Sequence, residues 1–182
     1  MDTVPDHVSL PEETGYTFAE NARLKADAVF SALAGQVGVL ADDSGLQVAA
    51  LGGDPGVRSA RYAGAKATDE DNVSKLLAEL SGRHDRRARF VCALCLILPA
   101  SGRGPEGMPS VFMVEGTLKG RITDHPRGLD GFGYDPVFEP LGWRQTLAEA
   151  KPTDKDAVSH RGAAATALLG RLREEGIIDR GS

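Results

Sequence analysis

From Phe18 onward, apolar residues return every three or four positions, at Phe18, Ala22, Ala26, Val29, Phe30 and Leu33. That period predicts an amphipathic helix. Thr17 opens it, Glu20 three residues on completes a capping box, and Gly35 closes it. A second helix is predicted from Thr68, with Asp71 as capping partner. Val73, Leu76, Leu77 and Leu80 form its buried side, and Asn72 and Lys75 read as its solvated face. A third begins at Ser159 and carries Ala163, Ala164, Ala167, Leu168 and Leu172. Residues 146–149 are expected to make a helical turn. Between the helices the pattern shortens. Residues 37–40, Val-Gly-Val-Leu, read as a buried strand and residues 47–51 as another. Two longer strands, 88–98 and 110–123, flank a Gly/Pro-rich turn over residues 100–109 and predict a hairpin, with Gly116 and Gly120 as candidate bulges. Residues 1–15, 52–64 and 128–140 are punctuated by Gly, Pro and polar residues and read as loops.

Composition narrows this picture in three ways. A chain of 182 residues is expected to form a single domain over residues 1–182. Its net charge of −5 does not favour nucleic acid. No apolar run is long enough for a membrane span, and the first ten residues lack a basic region followed by an apolar one, so a reducing cytoplasm is the expected location. The two cysteines, Cys92 and Cys95, spell C-x-x-C inside a continuous apolar run. On a strand, positions three apart point to opposite faces, so both are read as buried core thiols rather than a redox or zinc pair.

The charged positions carry the candidate chemistry. Residues 41–46, Ala-Asp-Asp-Ser-Gly-Leu, follow the predicted strand 37–40 as an acidic turn. Adjacent carboxylates beside a core lose hydration and repel each other, costs that a hard cation such as Mg²⁺ offsets. The alternative is a turn whose Asp residues bond local amides. Asn21 and Lys25 lie four apart and share a helix face, although Lys25 by itself reads as a surface lysine. His160 and Arg161 occupy the first turn of the last helix, where the dipole disfavours cations, which points to a ligand anion or polarised oxygen joining them. Asp154 and Asp156 offer a structural alternative by neutralising that patch together with Lys155. Phe132, between two glycines, presents a ring able to stack on a planar ligand or to anchor its loop. Carboxylates at Glu12, Glu13, Asp42 and Asp43, cations at Lys25, Lys155, His160 and Arg161, and that ring suit a metal-bound polyphosphate attached to a flat base.

Four strings, ADDSGLQV, LGGDPGVRSARYAG, GFGYDPVF and SHRG, occur in this order and resemble the motifs of the inosine/xanthosine triphosphate pyrophosphatase family. The resemblance runs from about Glu12 to Leu172. It implies an α/β fold, an elongated mixed β-sheet flanked by helices, with two lobes around a central cleft, and a homodimer. It also implies hydrolysis of deaminated purine nucleoside triphosphates (ITP, dITP, XTP) to the monophosphate and pyrophosphate, with Mg²⁺ as cofactor. By the same resemblance, Asp43 is the general base and a metal ligand, with Glu13 and Asp42 as the other metal carboxylates. Ser44 and Lys25 touch the phosphates, and Phe132 stacks on the purine. Gly133, Tyr134 and Asp135 shape the base pocket, and Lys155, His160 and Arg161 contact substrate, the last two near the 6-oxo group.

Members of that family carry a strand and a (Ser/Thr)-x-Asn-x-x-Lys segment ahead of these motifs, and residues 1–11 contain neither Asn nor Lys. The expectation is therefore that the native start lies upstream, and that this chain lacks one strand and several phosphate donors. A non-catalytic nucleotide-binding or dimerisation module is the alternative function, opposed by the retained Glu13, Asp42 and Asp43.

Overall fold

Thr17 and Glu20 cap the first helix reciprocally. The Glu20 N–H donates to Thr17 Oγ1 at 3.1 Å, and the Thr17 N–H donates to Glu20 Oε2 at 3.0 Å. The helix α1 (Phe18–Ala32) then buries Phe18, Ala22, Ala26 and Val29 of the predicted stripe, leaves Phe30 and Leu33 half-buried, and adds Asn21. Its end wraps onto Gly35, whose N–H reaches Phe30 O at 2.9 Å. The computed structural model of the protein describes residues 4–5, 8–100 and 107–179. The loop expected over residues 1–15 and the turn over 100–109 therefore lie partly outside the described residues.

The described residues follow the order α1, β1 (Val39–Val48), α2 (Asp69–Glu79), β2 (Arg87–Leu98), β3 (Ser110–Ile122), β4 (Phe138–Pro140), α3 (Pro152–Val158) and α4 (His160–Glu174). The four strands form an antiparallel sheet in the order β1-β2-β3-β4, and with the helices they give an α/β protein. Short 3-10 turns at Ala49–Leu51, Gly56–Arg61 and Asp135–Val137 occupy stretches expected to be strand or loop. Between β3 and β4 the register pairs Gly120 with Pro140, Arg121 with Glu139 and Ile122 with Phe138. Gly120 is thus not a bulge against β4. Its missing side chain leaves the space that the Phe138 ring occupies.

The largest correction concerns β1. The expected strand, acidic turn and second strand are one continuous strand, with Asp42, Asp43, Ser44 and Gly45 in its middle. Asp, Ser and Gly are poor strand residues taken singly. Here the carboxylate of Asp43 is satisfied by Asn21 and Lys25 of α1. The end of β1 is covered in turn: the Val48 N–H reaches Asp54 O at 3.1 Å and the Leu46 N–H reaches Ser59 Oγ at 2.9 Å. An edge finished in this way offers fewer open amides to another chain.

The chain divides into two units. One comprises Met1–Asp43, Ala93–Glu115 and Ala164–Ser182. Its buried residues include the α1 stripe, Val39, Ile97, Phe112 and the Ala164, Leu168 and Leu172 face of α4. The second comprises Ser44–Cys92 and Gly116–Ala163. Its core gathers Leu46, Val48, Val73, Leu76, Leu80, Phe90, Ile122, Val137, Phe138 and Leu147. Truncating a fully buried member such as Leu76 to alanine costs about 2–5 kcal/mol.

Of the two residues assigned to a solvated face, Asn72 is buried in this second interior, whereas Lys75 stays half-exposed while its ammonium is anchored. Asn72 accepts from the Ala63 N–H at 2.8 Å and donates to Ala60 O at 3.2 Å. Lys75 donates to Tyr62 O at 2.8 Å and lies 4.2 Å from the Tyr62 ring centroid. Together they hold the Gly/Pro-rich segment after Gly56 against α2. The cysteines behave as predicted: both are free and buried. Burial pushes the Cys95 thiol up to about 11.

Candidate functional site

Two sets of residues carry chemistry, one in each unit. In the first unit, β1 and the segment before α1 bring two acids onto Lys25 of α1, and an amide of the same helix onto one of those acids. Lys25 Nζ donates to Asp43 Oδ1 at 2.9 Å and lies 3.0 Å from Glu13 Oε1. Asn21, one helical turn before Lys25, donates to Asp43 Oδ2 at 3.2 Å and accepts from the Gly15 N–H at 2.8 Å. Gly15 is required at its position, because a Cβ there would lie 2.6 Å from Asn21 Oδ1. The shared face of Asn21 and Lys25 is therefore functional in geometry, and Lys25 is not a surface lysine.

Asp43 is only 7% exposed and Asn21 is fully buried. Burial pushes the Asp43 carboxyl above the usual aspartate range, against the opposing pull of its bonds to Lys25 and Asn21. Burial also draws the Lys25 ammonium down, but its bonds to Asp43 and Glu13 outweigh this and raise it. The donor set fits a hard ion: oxygens of Glu13 and Asp43 converge on a single point, now held by an ammonium. Asp42 is exposed, on the opposite strand face from Asp43. Among the described residues, no three or more His, Cys, Asp or Glu side chains are gathered to hold a metal ion. Two protein carboxylates are nevertheless enough for Mg²⁺, which keeps waters and takes phosphate oxygens for its remaining positions.

In the second unit lies a cavity of about 360 Å³. Its lining includes Ser44 and Gly45 of β1, Ser59, Asp69, Phe90, the run Phe132–Asp135, and Lys155, His160 and Arg161. The substrate contacts expected at Ser44, Phe132, Gly133, Tyr134, Asp135, Lys155, His160 and Arg161 are thus all brought to one place. The Phe132 ring is 62% exposed, available to a flat ligand. Asp135, buried, accepts from the Phe132 N–H at 3.1 Å and pairs with Lys155. Lys155 therefore takes Asp135 as its partner, and it sits 4.8 Å from the Phe132 ring centroid. Gly131 adopts a φ of +89°, and its missing Cβ is what admits the Asp135 carboxylate. Tyr134 is buried and donates to Ser59 O at 2.9 Å.

His160 stacks on Phe90, with ring centroids 5.1 Å apart and planes 14° from parallel. Phe90 packs in turn against Phe138 at 4.6 Å. Sequence reasoning missed Phe90, Ser59 and Asp69. Phe90 sits in an apolar run without distinguishing mark, Ser59 in a loop, and Asp69 among three acids of a helix start. Nothing local separates these from ordinary core, loop and cap residues. Asn21 did carry a signal, its shared face with Lys25.

Comparison with known proteins gives the same picture. Residues 1–171 match the Ham1 family. A dITP/XTP pyrophosphatase of Methylococcus capsulatus is 48% identical over 164 residues, covering 89% of this chain and 78% of that protein. The dITP/XTP pyrophosphatase of Geobacillus kaustophilus is 51% identical over 158 residues, covering 86% and 72%. Among solved structures, a HAM1 protein from Coxiella burnetii superposes with a TM-score of 0.81 at 41% identity, covering 92% of this chain and 82% of its own. A nucleoside-triphosphatase / dITP/XTP pyrophosphatase from Mycobacterium abscessus gives a TM-score of 0.74 at 46% identity, covering 93% and 82%. With residues 1–171 matched by the family model, the chain belongs to the Ham1 family.

Proposed function

We propose that the chain, residues 1–182 acting as one domain, hydrolyses deaminated purine nucleoside triphosphates (ITP, dITP, XTP) to the monophosphate and pyrophosphate. One observation carries this reading. Asp43, held in a carboxylate cluster, is followed directly in β1 by Ser44 and Gly45, which line a cavity bearing an exposed aromatic ring. Consecutive residues are only about 3.8 Å apart. Strand alternation puts Gly45 on the same face as Asp43. A base stacked on Phe132 thus comes with a strand that leads to the acids.

In this reading Glu13 and Asp43 hold Mg²⁺, with Asp42 adding its charge from the next position. When bound, that ion supplies charge neutralisation on the phosphate oxygens and lowers the pKa of water. Asp43 accepts a proton from water, whose oxygen bonds to the α-phosphorus. The bond from that phosphorus to the bridging oxygen breaks, and the electron pair leaves with pyrophosphate. Asn21, bonded to the second Asp43 oxygen, fixes the carboxylate's orientation. Lys25, released from the carboxylates, and Ser44 contact the phosphates. Gly133, Tyr134 and Asp135 shape the base pocket, and Lys155 sits beside the ring of Phe132.

His160 and Arg161 supply donors toward position 6 of the purine. Hypoxanthine and xanthine carry an acceptor oxygen there, whereas adenine carries a donor amine. A pocket of donors accepts the first and leaves the second facing another donor, a mismatch that discriminates strongly in a desolvated site. The same reading includes a cytoplasmic homodimer. The similarity to relatives named as dITP/XTP pyrophosphatases supports the substrate class. A phosphate-release assay coupled to inorganic pyrophosphatase, with Mg²⁺, tests it. ITP is expected to turn over at least about a hundredfold faster than ATP. Equal rates on the two, or no release from ITP by the folded chain, would contradict the proposal.

A further inference from the structure

Phe132 is an exposed ring on a loop with a left-handed glycine on each side, Gly131 at φ +89° and Gly133 at φ +59°. Such a backbone has more freedom than any other residue type would give it. A stacking platform needs the reverse, because every degree of freedom frozen on binding is subtracted from affinity. The structure shows what holds the platform. The amide of Phe132 donates to Asp135 Oδ2 at 3.1 Å, and the next amide, that of Gly133, donates to Asp69 Oδ2 at 2.6 Å. Consecutive N–H groups at the ring are thus held by two carboxylates from different parts of the chain.

Asp135 is buried, lies within the same motif and is paired with Lys155. Asp69 differs on each count. It comes from 64 residues away, it is exposed, and the cap of α2 does not depend on it, because Thr68 and Asp71 form the capping box. Its place in the first turn of α2 suits a negatively charged side chain. Its bond to Gly133 is charge-assisted and short, the stronger kind of hydrogen bond.

We infer that Asp69 is a positioning residue for base recognition: its carboxylate pins the Gly133 amide and so fixes the Phe132 ring in the orientation that stacks on the purine. The inference rests on the pyrophosphatase reading and deepens it. Asp69 acts through the loop, so it governs how well the base is held and leaves the chemistry at the α-phosphorus alone.

The experiment compares wild type with Asp69→Ala, Asp69→Asn and Asp69→Glu in steady-state ITP hydrolysis, with inorganic pyrophosphate as a competing product inhibitor. Wild-type turnover of ITP is measured first, so a failure of the pyrophosphatase reading shows in that arm alone. Asp69→Ala is expected to raise KM for ITP about tenfold, with kcat within twofold and the pyrophosphate inhibition constant unchanged, since that ligand has no base. Asp69→Asn, which keeps an oxygen acceptor, is expected to recover most of the loss. Asp69→Glu, which keeps the charge but shifts the carboxylate by a methylene, is expected to raise KM in the same direction and provides the reading should the alanine variant fold poorly. An unchanged KM in the folded variants, or an equal weakening of pyrophosphate binding, would overturn the inference.

Discussion

The two units solve opposite problems. In the first, charge is crowded into a protected place: Asp43, Glu13 and Lys25 meet beside a fully buried Asn21. Nearly everything there is polar and held by hydrogen bonds. In the second, the cavity is walled by Phe90, Leu118, Tyr134 and Leu147, with a ring left open to solvent and charge kept to a few anchored groups. Chemistry and recognition therefore place different demands on neighbouring residues of one strand. A proton acceptor must be perturbed to be useful. A base platform must be rigid and otherwise unremarkable.

That contrast predicts that the two sets of residues fail differently when altered. Asp43→Asn removes the proposed proton acceptor while keeping an oxygen for the ion, and at saturating Mg²⁺ is expected to lower kcat by about 10²- to 10⁴-fold with KM for ITP nearly unchanged. The pH profile gives a second reading. Because burial raises the Asp43 carboxyl when no ion is bound, protons compete with Mg²⁺ for it, so at limiting Mg²⁺ the acid limb of activity is expected above the ordinary aspartate range and is expected to move down as Mg²⁺ is raised. Phe132→Ala is expected to produce the complementary pattern, a rise in KM of about tenfold or less with kcat largely kept, the size of one aromatic contact. If Phe132→Ala lost kcat and Asp43→Asn raised KM, the division of labour would be wrong.

The smallest expected effect reports on the units themselves, because β2 carries Cys92 in one and Cys95 in the other. With its thiol pushed up to about 11, Cys95 is almost wholly protonated at neutral pH as well as buried. In a Cys92→Ser variant, Cys95 is expected to react with a thiol reagent at pH 8 at most about a hundredth as fast as an exposed cysteine, speeding up only on unfolding. Fast labelling of the native protein would show that this region opens readily.

How much of this could be read from the chain follows from where each signal lives. The α1 and α2 starts were legible because a capping box is a contract between residues three apart, Thr17 with Glu20 and Thr68 with Asp71. The fate of the two cysteines was legible because strand alternation is equally local. β1 was misread as two strands and a turn because its middle is made of residues that disfavour strands, and what steadies Asp43 there comes from Asn21 and Lys25, 22 and 18 residues earlier. Asn72 was misplaced for the same reason: a polar side chain on a helix looks solvated until the loop backbone groups it holds, at Ala60 and Ala63, are known. Pocket residues within long motifs, such as Phe132 to Asp135, were found by resemblance, whereas Asp69, Ser59 and Phe90 emerge only once the chain is folded.

The central claim is that water attacks the α-phosphorus of a purine nucleotide, and hydrolysis of ITP in ¹⁸O-labelled water tests it most directly. The account predicts that the label appears in the inosine monophosphate and not in the pyrophosphate, as read by mass spectrometry of the two products. Label in the pyrophosphate would mean attack at the β-phosphorus and would contradict it.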